Sequence, residues 1–210
     1  MKQVTPALLR KNLVCMSAAV LFAFIGAGCS INLQHGKLNP PGRTYSDTIY
    51  TSKSATGSAD LPKGADGRVG WGRGTLFAIP IVPVHVVGQG NEEVMKEIQA
   101  ALTEVGYKVQ VVEAGTPSPG KVLTCQVEKF KFNNYTWLFP IVPTWGGIRL
   151  NASLVGADQK VLWTHQFSGS GSTLDFSNGY TSSAKTSMTE ILNEMTTEFS
   201  SDEFHTALTK

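Results

Sequence analysis

The chain has 210 residues, 41% of them apolar, with 18 basic and 16 acidic side chains and a formal net charge of +2. That balance leaves no electrostatic footprint for nucleic acid. The length suits one domain of ordinary size, and an apolar share a little under the usual fits a globular core joined to a polar segment.

The N-terminus carries Lys2, Arg10 and Lys11, with no acidic residue before Asp47, and then an apolar run from Leu13 to Gly28 that stops at Cys29. A positive end, a short apolar run and the small residues Gly26, Ala27 and Gly28 together describe a secretory signal over residues 1–28. The run falls short of the roughly 20 apolar residues that a membrane span needs, which makes an uncleaved anchor the weaker reading. Cleavage removes three basic residues and leaves 15 basic against 16 acidic, a net charge of about −1.

Cys29 is either the attachment point of a lipid or an ordinary small residue just past a peptidase site. The segment Ile25-Gly26-Ala27-Gly28-Cys29-Ser30 resembles a bacterial lipobox, with Gly26 where that motif usually has Leu. The resemblance implies a diacylglycerol on the Cys29 thiol, a cut just before it and acylation of the new amine. At about 0.8 kcal/mol per buried methylene, three acyl chains make attachment effectively permanent. The resemblance also implies, through Ser30, sorting to the outer membrane of a Gram-negative cell, facing the periplasm. Membrane lipid, through acylated Cys29, is the first expected partner. With Cys15 lost in the signal and Cys29 blocked, Cys125 is left as a lone thiol that cannot form an intramolecular disulfide.

From Ser30 to about Gly67 the chain is rich in Ser, Thr, Gly, Pro, Asn and Lys, and Leu33, Leu38, Ile49 and Leu61 show no sustained period. Such a stretch cannot offset its ordering entropy by burial. It reads as a flexible tether over residues 29–67, with a candidate short strand around Tyr45 to Tyr50, leaving residues 68–210 as the folded periplasmic domain.

Gly70-Trp71-Gly72-Arg73-Gly74 opens that domain and leads into a strand at Thr75 to Ile79. A phosphate loop is the rival reading, but neither G-K-[S/T] nor a helix follows and two prolines come next. Asn91, as N-cap, and Glu92 and Glu93 open a helix whose apolar stripe is Val94, Ile98, Ala101, Leu102 and Val105, ended by Gly106. Tyr107 to Val112 is a strand, and Lys121 to Phe132 a longer one whose apolar phase jumps between Val127 and Phe130, predicting a bulge near Glu128 or Lys129. Ile148 to Leu154 and Val161 to Phe167 alternate cleanly about a turn at Gly156 to Gln159 and form a hairpin with one buried face. Gly169 to Gly179 reads as a glycine and serine loop. Ala184, Met188, Ile191, Leu192, Met195 and Phe199 mark a second amphipathic helix, and Ser201 or Asp202 caps a short last turn with Phe204 and Leu208. The predicted fold is α+β, a single mostly antiparallel (mixed) sheet of about five strands with two amphipathic helices on one face.

In "ALTEVGYKV", the hairpin "RLNASLVGADQKVLWTHQFSGSG" and the closing "SSDEFHTAL", the stretch from Val94 to Leu208 resembles the YajG-like bacterial lipoproteins. More distantly it is similar to LptE-like proteins and to the auxiliary lipoproteins of ABC-type envelope transporters. The long tether and two proline-bracketed segments depart from the YajG-like pattern. The resemblance implies no catalytic residue, and no cofactor or metal is expected. His35, His85, His165 and His205 form no H-x-x-x-H pair, and Ser168-Gly169-Ser170-Gly171-Ser172 lacks the strand-to-helix elbow of a nucleophile.

What remains is a repeated tetrapeptide, Pro80-Ile81-Val82-Pro83 and Pro140-Ile141-Val142-Pro143. Proline has no N–H for a ladder, so each copy belongs at an edge, a strand end or a loop. Aromatic residues flank both, Phe77 beside the first and Trp137, Phe139 and Trp145 around the second. Either the copies pack on each other as a core cap, or they form an apolar contact surface for a membrane interface or an envelope protein. The function expected is that of a non-enzymatic lipid-anchored envelope protein that binds or scaffolds. The alternatives are an accessory subunit of an envelope lipid or polymer transport system and a hydrolase with scattered site residues.

Overall fold

A computed structural model of the chain describes residues 29–57, 68–74, 79–113, 120–135, 142–175 and 179–210. The expected signal lies outside these residues, as do Phe77, Trp137, Phe139, Pro140 and Ile141. Within them the chain forms β1 (Cys29–Ile31), β2 (Thr48–Ser52), β3 (Thr56–Gly57), β4 (Arg68–Gly74), β5 (Ile79–Val86), α1 (Gly90–Val105), β6 (Lys108–Val112), β7 (Val122–Tyr135), β8 (Val142–Val155), β9 (Val161–Asp175), α2 (Gly179–Phe199) and α3 (Asp202–Thr209). The fold is α+β with a mixed sheet, but the described residues hold nine strands and three helices, more than the expected five and two.

The sheet is organised on β7. On one side β7, β8 and β9 form an antiparallel meander, and the register slips between Val127 and Lys129, where the apolar phase of the sequence jumps. On the other side β2, β3 and β4 pair in turn along β7, all parallel to it, like one long strand broken twice. β6 then adds outside β2, β5 outside β4, and β1 outside β5.

The helices form where the apolar period said they would. Val94, Met95, Ile98, Ala101, Leu102 and Val105 make the buried face of α1, and Gly106 at φ 103° ends it with its N–H on the Leu102 and Thr103 carbonyls. Gln89, not Asn91, precedes the first helical residue, and the Asn91 carbonyl instead accepts from the Ala55 N–H at 3.1 Å. α2 buries Ala184, Met188, Ile191, Leu192, Met195 and Phe199. Ser201 caps α3 by accepting from the Phe204 N–H at 3.1 Å.

Two expectations are corrected. The first is the flexible tether over its described part, residues 29–57, residues 58–67 lying outside the described residues. Ile31, Leu33, Ile49 and Ala55 are buried in the same apolar cluster as the helices, and β2 lies between β6 and β7. Between β1 and β2 the chain climbs α2: the Gly36 N–H donates to Thr189 Oγ1 and the Asn39 N–H to Asn193 Oδ1, both at 2.7 Å. His35 Nδ1 meets Glu97 Oε2 of α1 at 2.5 Å, and Arg43 pairs with Asp202. Side chains of the three helices thus supply the hydrogen bonds this aperiodic strap lacks from any ladder, and residues 29–57 belong to the folded unit.

The second is the Gly169 to Gly179 loop, most of which is strand. Gly169 and Gly171 face α2 so closely that a Cβ on either would lie 2.1 Å from the Ser187 or Ser183 carbonyl oxygen. Glycine here lets helix and strand backbones touch, while Ser168, Ser170 and Ser172 point outward.

Candidate functional site

The described parts of the two PIVP segments, Pro80 to Pro83 and Val142 with Pro143, lie at one end of the sheet. Pro80 to Pro83 are within β5, not in a loop, and among the described residues this stretch pairs with β4 alone, β1 meeting β5 at Val84 to Val86. Among those residues it is a sheet edge, where a missing N–H is tolerated, with a register shift between Gly72 and Arg73 beside it. Val142 and Pro143 open β8 just beyond the last rung with β7, Asn134 opposite Thr144. Pro83, Trp71, Asn133, Trp145 and Ser172 stand in one row across five strands. β4 and β7 separate the two segments, a gap of three strand spacings or roughly 14 Å at about 4.8 Å each. The described parts share an end of the sheet without packing on each other.

Cys29 belongs to the same end. It pairs with Val84, and the neighbouring row runs Cys29, Val84, Gly70, Phe132, Gly146, Gly171. β1 then runs away from that end, towards Ile31 opposite Val86.

The helix-free face of β7, β8 and β9 is graded along the strands. At the hairpin end it carries a hydroxyl and amide ladder: Ser153 Oγ lies 3.0 Å from Thr164 Oγ1, which donates to Asn151 Oδ1 at 3.0 Å. In the middle come two cationic rows, Lys129 opposite Arg149 and Ser168, then Lys131 opposite Gly147 and Ser170. Next is the Trp145 row, and beyond it Pro143 opposite Leu174. Trp145 is 44% exposed and Leu174 72% exposed. Lys129, Arg149, Ser168 and Ser170 line a depression of about 260 Å³. Glu190 closes its rim, its carboxylate accepting from the Ser170 N–H at 2.8 Å.

Like charges directly opposite on neighbouring strands cost stability. Among the described residues neither Lys129, Lys131 nor Arg149 has an acidic partner within ion-pair distance. The nearby Glu128 carboxylate accepts from Gln166 Nε2 at 2.7 Å.

A larger cleft of about 720 Å³ opens at the opposite end, between Gly156 to Asp158 and α3, with Leu162 and Ala207 as apolar wall. Lys121 crosses its side, Nζ donating to the Ala207 and Leu208 carbonyls at 2.9 and 2.8 Å. It is assembled from three distant stretches, so no local pattern announces it.

Elsewhere the reactive residue types have structural duties. Cys125 is buried on the core side of β7, and burial pushes its thiol up to about 12, the reverse of an activated nucleophile. His165 packs between Trp163 and Phe167 with Glu194 and Glu198 at 3.5 and 3.8 Å, and His205 reaches Asp47 at 3.1 Å. Among the described residues no three His, Cys, Asp or Glu side chains converge as metal ligands, and no helix is long and apolar enough to cross a membrane. The glycines of the rejected phosphate loop form β4 itself.

No family model and no curated protein matches the sequence. Solved structures align with the chain. Protein XCC0632 of Xanthomonas campestris, of family DUF330, aligns with a TM-score of 0.51 at 14% identity, covering 81% of this chain and 92% of its own. A candidate neuraminyllactose-binding hemagglutinin homolog of Helicobacter pylori aligns at 0.40 and 11% identity, covering 83% of this chain and 96% of its own. A candidate lipoprotein of Caulobacter crescentus CB15 aligns at 0.36 and 12% identity, covering 59% and 86%. The DUF330 protein carries the likeness of fold.

Proposed function

We propose that the chain is a lipid-anchored, non-enzymatic protein of the bacterial envelope, attached through acylated Cys29 and making its contacts through the PIVP end of the sheet. One observation carries this reading: the residue that the lipobox-like segment marks for acylation stands one row from Trp145 and Pro83, at the end where apolar side chains stay exposed. A periplasmic-facing position on an outer membrane belongs to this reading, supported by the YajG-like resemblance and by Ser30 after the cysteine.

Intact mass of the membrane-extracted protein is the test. A chain starting at Cys29 with the added mass of three acyl chains is expected; an unmodified chain overturns the anchor.

The exposure of Trp145 and Leu174 also favours a second reading, an accessory subunit of a lipid or polymer transport system in which this end meets a protein. Stoichiometric recovery of a transporter with the extracted protein would select it.

A further inference from the structure

We propose that the folded domain lies directly on the bilayer, with the Cys29 end of the sheet down, Trp145, Pro143 and Leu174 at the lipid interface, and Lys129, Lys131 and Arg149 against anionic phospholipid headgroups. This rests on the anchoring reading above and adds an orientation and a ligand class to it.

Three observations converge. First, the strap after Ile31 is fixed along α2 and β2 is inside the sheet, so no free tether separates Cys29 from the domain. Whatever holds Cys29 holds the whole sheet by that end. Second, that end exposes Trp145 and Leu174 on the face the helices leave open. An indole combines an apolar body with a polar N–H and settles at the headgroup boundary. Third, the cations begin one row behind Trp145 on the same face. At about 3.4 Å per residue the Lys131 row is roughly 7 Å and the Arg149 row roughly 14 Å from Trp145. Long basic side chains reach back several ångströms, so an inclined sheet brings both rows to a headgroup layer about 5 to 8 Å deep.

The opposition of Lys129 to Arg149 without an acid between them is unfavourable in the isolated domain and favourable beside phosphates. The Ser168 and Ser170 hydroxyls next to them add neutral donors for phosphate oxygens. Glu128 and Glu190, the acids bordering the patch, are engaged by Gln166 and the Ser170 N–H.

The test uses the full acylated protein reconstituted into vesicles of phosphatidylcholine alone or with 30% phosphatidylglycerol (a fraction of about that size gives a marked surface potential). Amine labelling by an impermeant reagent is read at Lys129 and Lys131, with Lys160 at the distal hairpin turn as internal control. The two lysines should label about fivefold more slowly in the anionic vesicles and Lys160 unchanged. Brominated lipid chains should quench the wild-type protein more than its Trp145→Phe variant. Equal labelling in both vesicles, or equal quenching, overturns the proposal. Protection in native membranes but not in anionic vesicles assigns the patch to a protein and also overturns it. If intact mass shows no acylation, the anchoring reading alone has failed, and flotation of the unmodified chain decides. Flotation with anionic vesicles, lost in the triple variant Lys129→Gln, Lys131→Gln, Arg149→Gln, supports the surface, and absence of flotation removes it.

Discussion

Cys125 shows how one buried group writes a pH dependence into the whole fold. Its thiol sits on the core side of β7 opposite Ala152, and burial raises it from the ordinary 9.0 to about 12. Below pH 9 the group is neutral in folded and unfolded chains alike, and its favourable burial is fully kept. Between pH 9 and 12 the unfolded chain releases a proton that the folded one holds, so stability falls as pH rises, by about 1.4 kcal/mol per unit. Tyr107, raised chiefly by burial and donating to the Phe199 carbonyl at 3.0 Å, adds the same sign above its own ordinary value of 10.0. Chemical denaturation at pH 8 and pH 10 should therefore show the wild type losing about 1 kcal/mol more than Cys125→Ala; parallel losses would mean that the thiol is solvated. A second residue-scale expectation concerns Ser201. Ser201→Ala removes the acceptor of the Phe204 N–H and should cost about 1 kcal/mol in the same measurement.

At the scale of elements, the glycine and serine run shows what a period can hide. Ser168-Gly169-Ser170-Gly171-Ser172 alternates as strictly as any strand, but the inward residues are glycines, and a search for alternating apolar residues passes over them. Their partner is the α2 backbone at Ser183 and Ser187, which small side chains allow to approach. Gly169→Ala or Gly171→Ala should destabilise the fold by about 1 to 3 kcal/mol or more, since each Cβ meets backbone that must move. Ser172→Ala, on the outward face, should stay within about 0.5 kcal/mol. Equal effects at the two parities would refute the helix contact. The elements legible beforehand were those with a full apolar period, α1, α2 and the hairpin, together with a bulge near Glu128 or Lys129, found between Val127 and Lys129, and a cap at Ser201 or Asp202, found at Ser201. The PIVP segments were half legible. Proline's missing N–H demanded an edge, a strand end or a loop, and the Pro80 to Pro83 stretch of β5 pairs, among the described residues, with β4 on one side, but nothing local told that Cys29 and Trp145 would share its end of the sheet. That is a fact of register between strands far apart in sequence.

For the whole molecule, the decisive departure from the sequence reading is that residues 29–57 belong to the core. Composition could not reveal this, because the strap between β1 and β2 takes its hydrogen bonds from Thr189 and Asn193 and its packing from isolated residues. None of that leaves a period. A tether and an integral strap make opposite predictions at Ile49, which is fully buried on β2 between β6 and β7. Were it part of a tether, Ile49→Ala would leave the unfolding midpoint untouched. As a core residue it loses both its transfer free energy and the packing around the cavity left behind, a cost of about 2 to 4 kcal/mol. One cooperative transition at lower denaturant, with an unchanged slope, is the expected result. The same logic extends to the membrane. Protease should fail to free the domain by cutting between residues 32 and 47, since a nicked strap remains held by β1 against β5 and by the contacts along α2. Release of a soluble, folded fragment after such a cut would restore the tether and remove the mechanical basis for a domain held against the bilayer by one end.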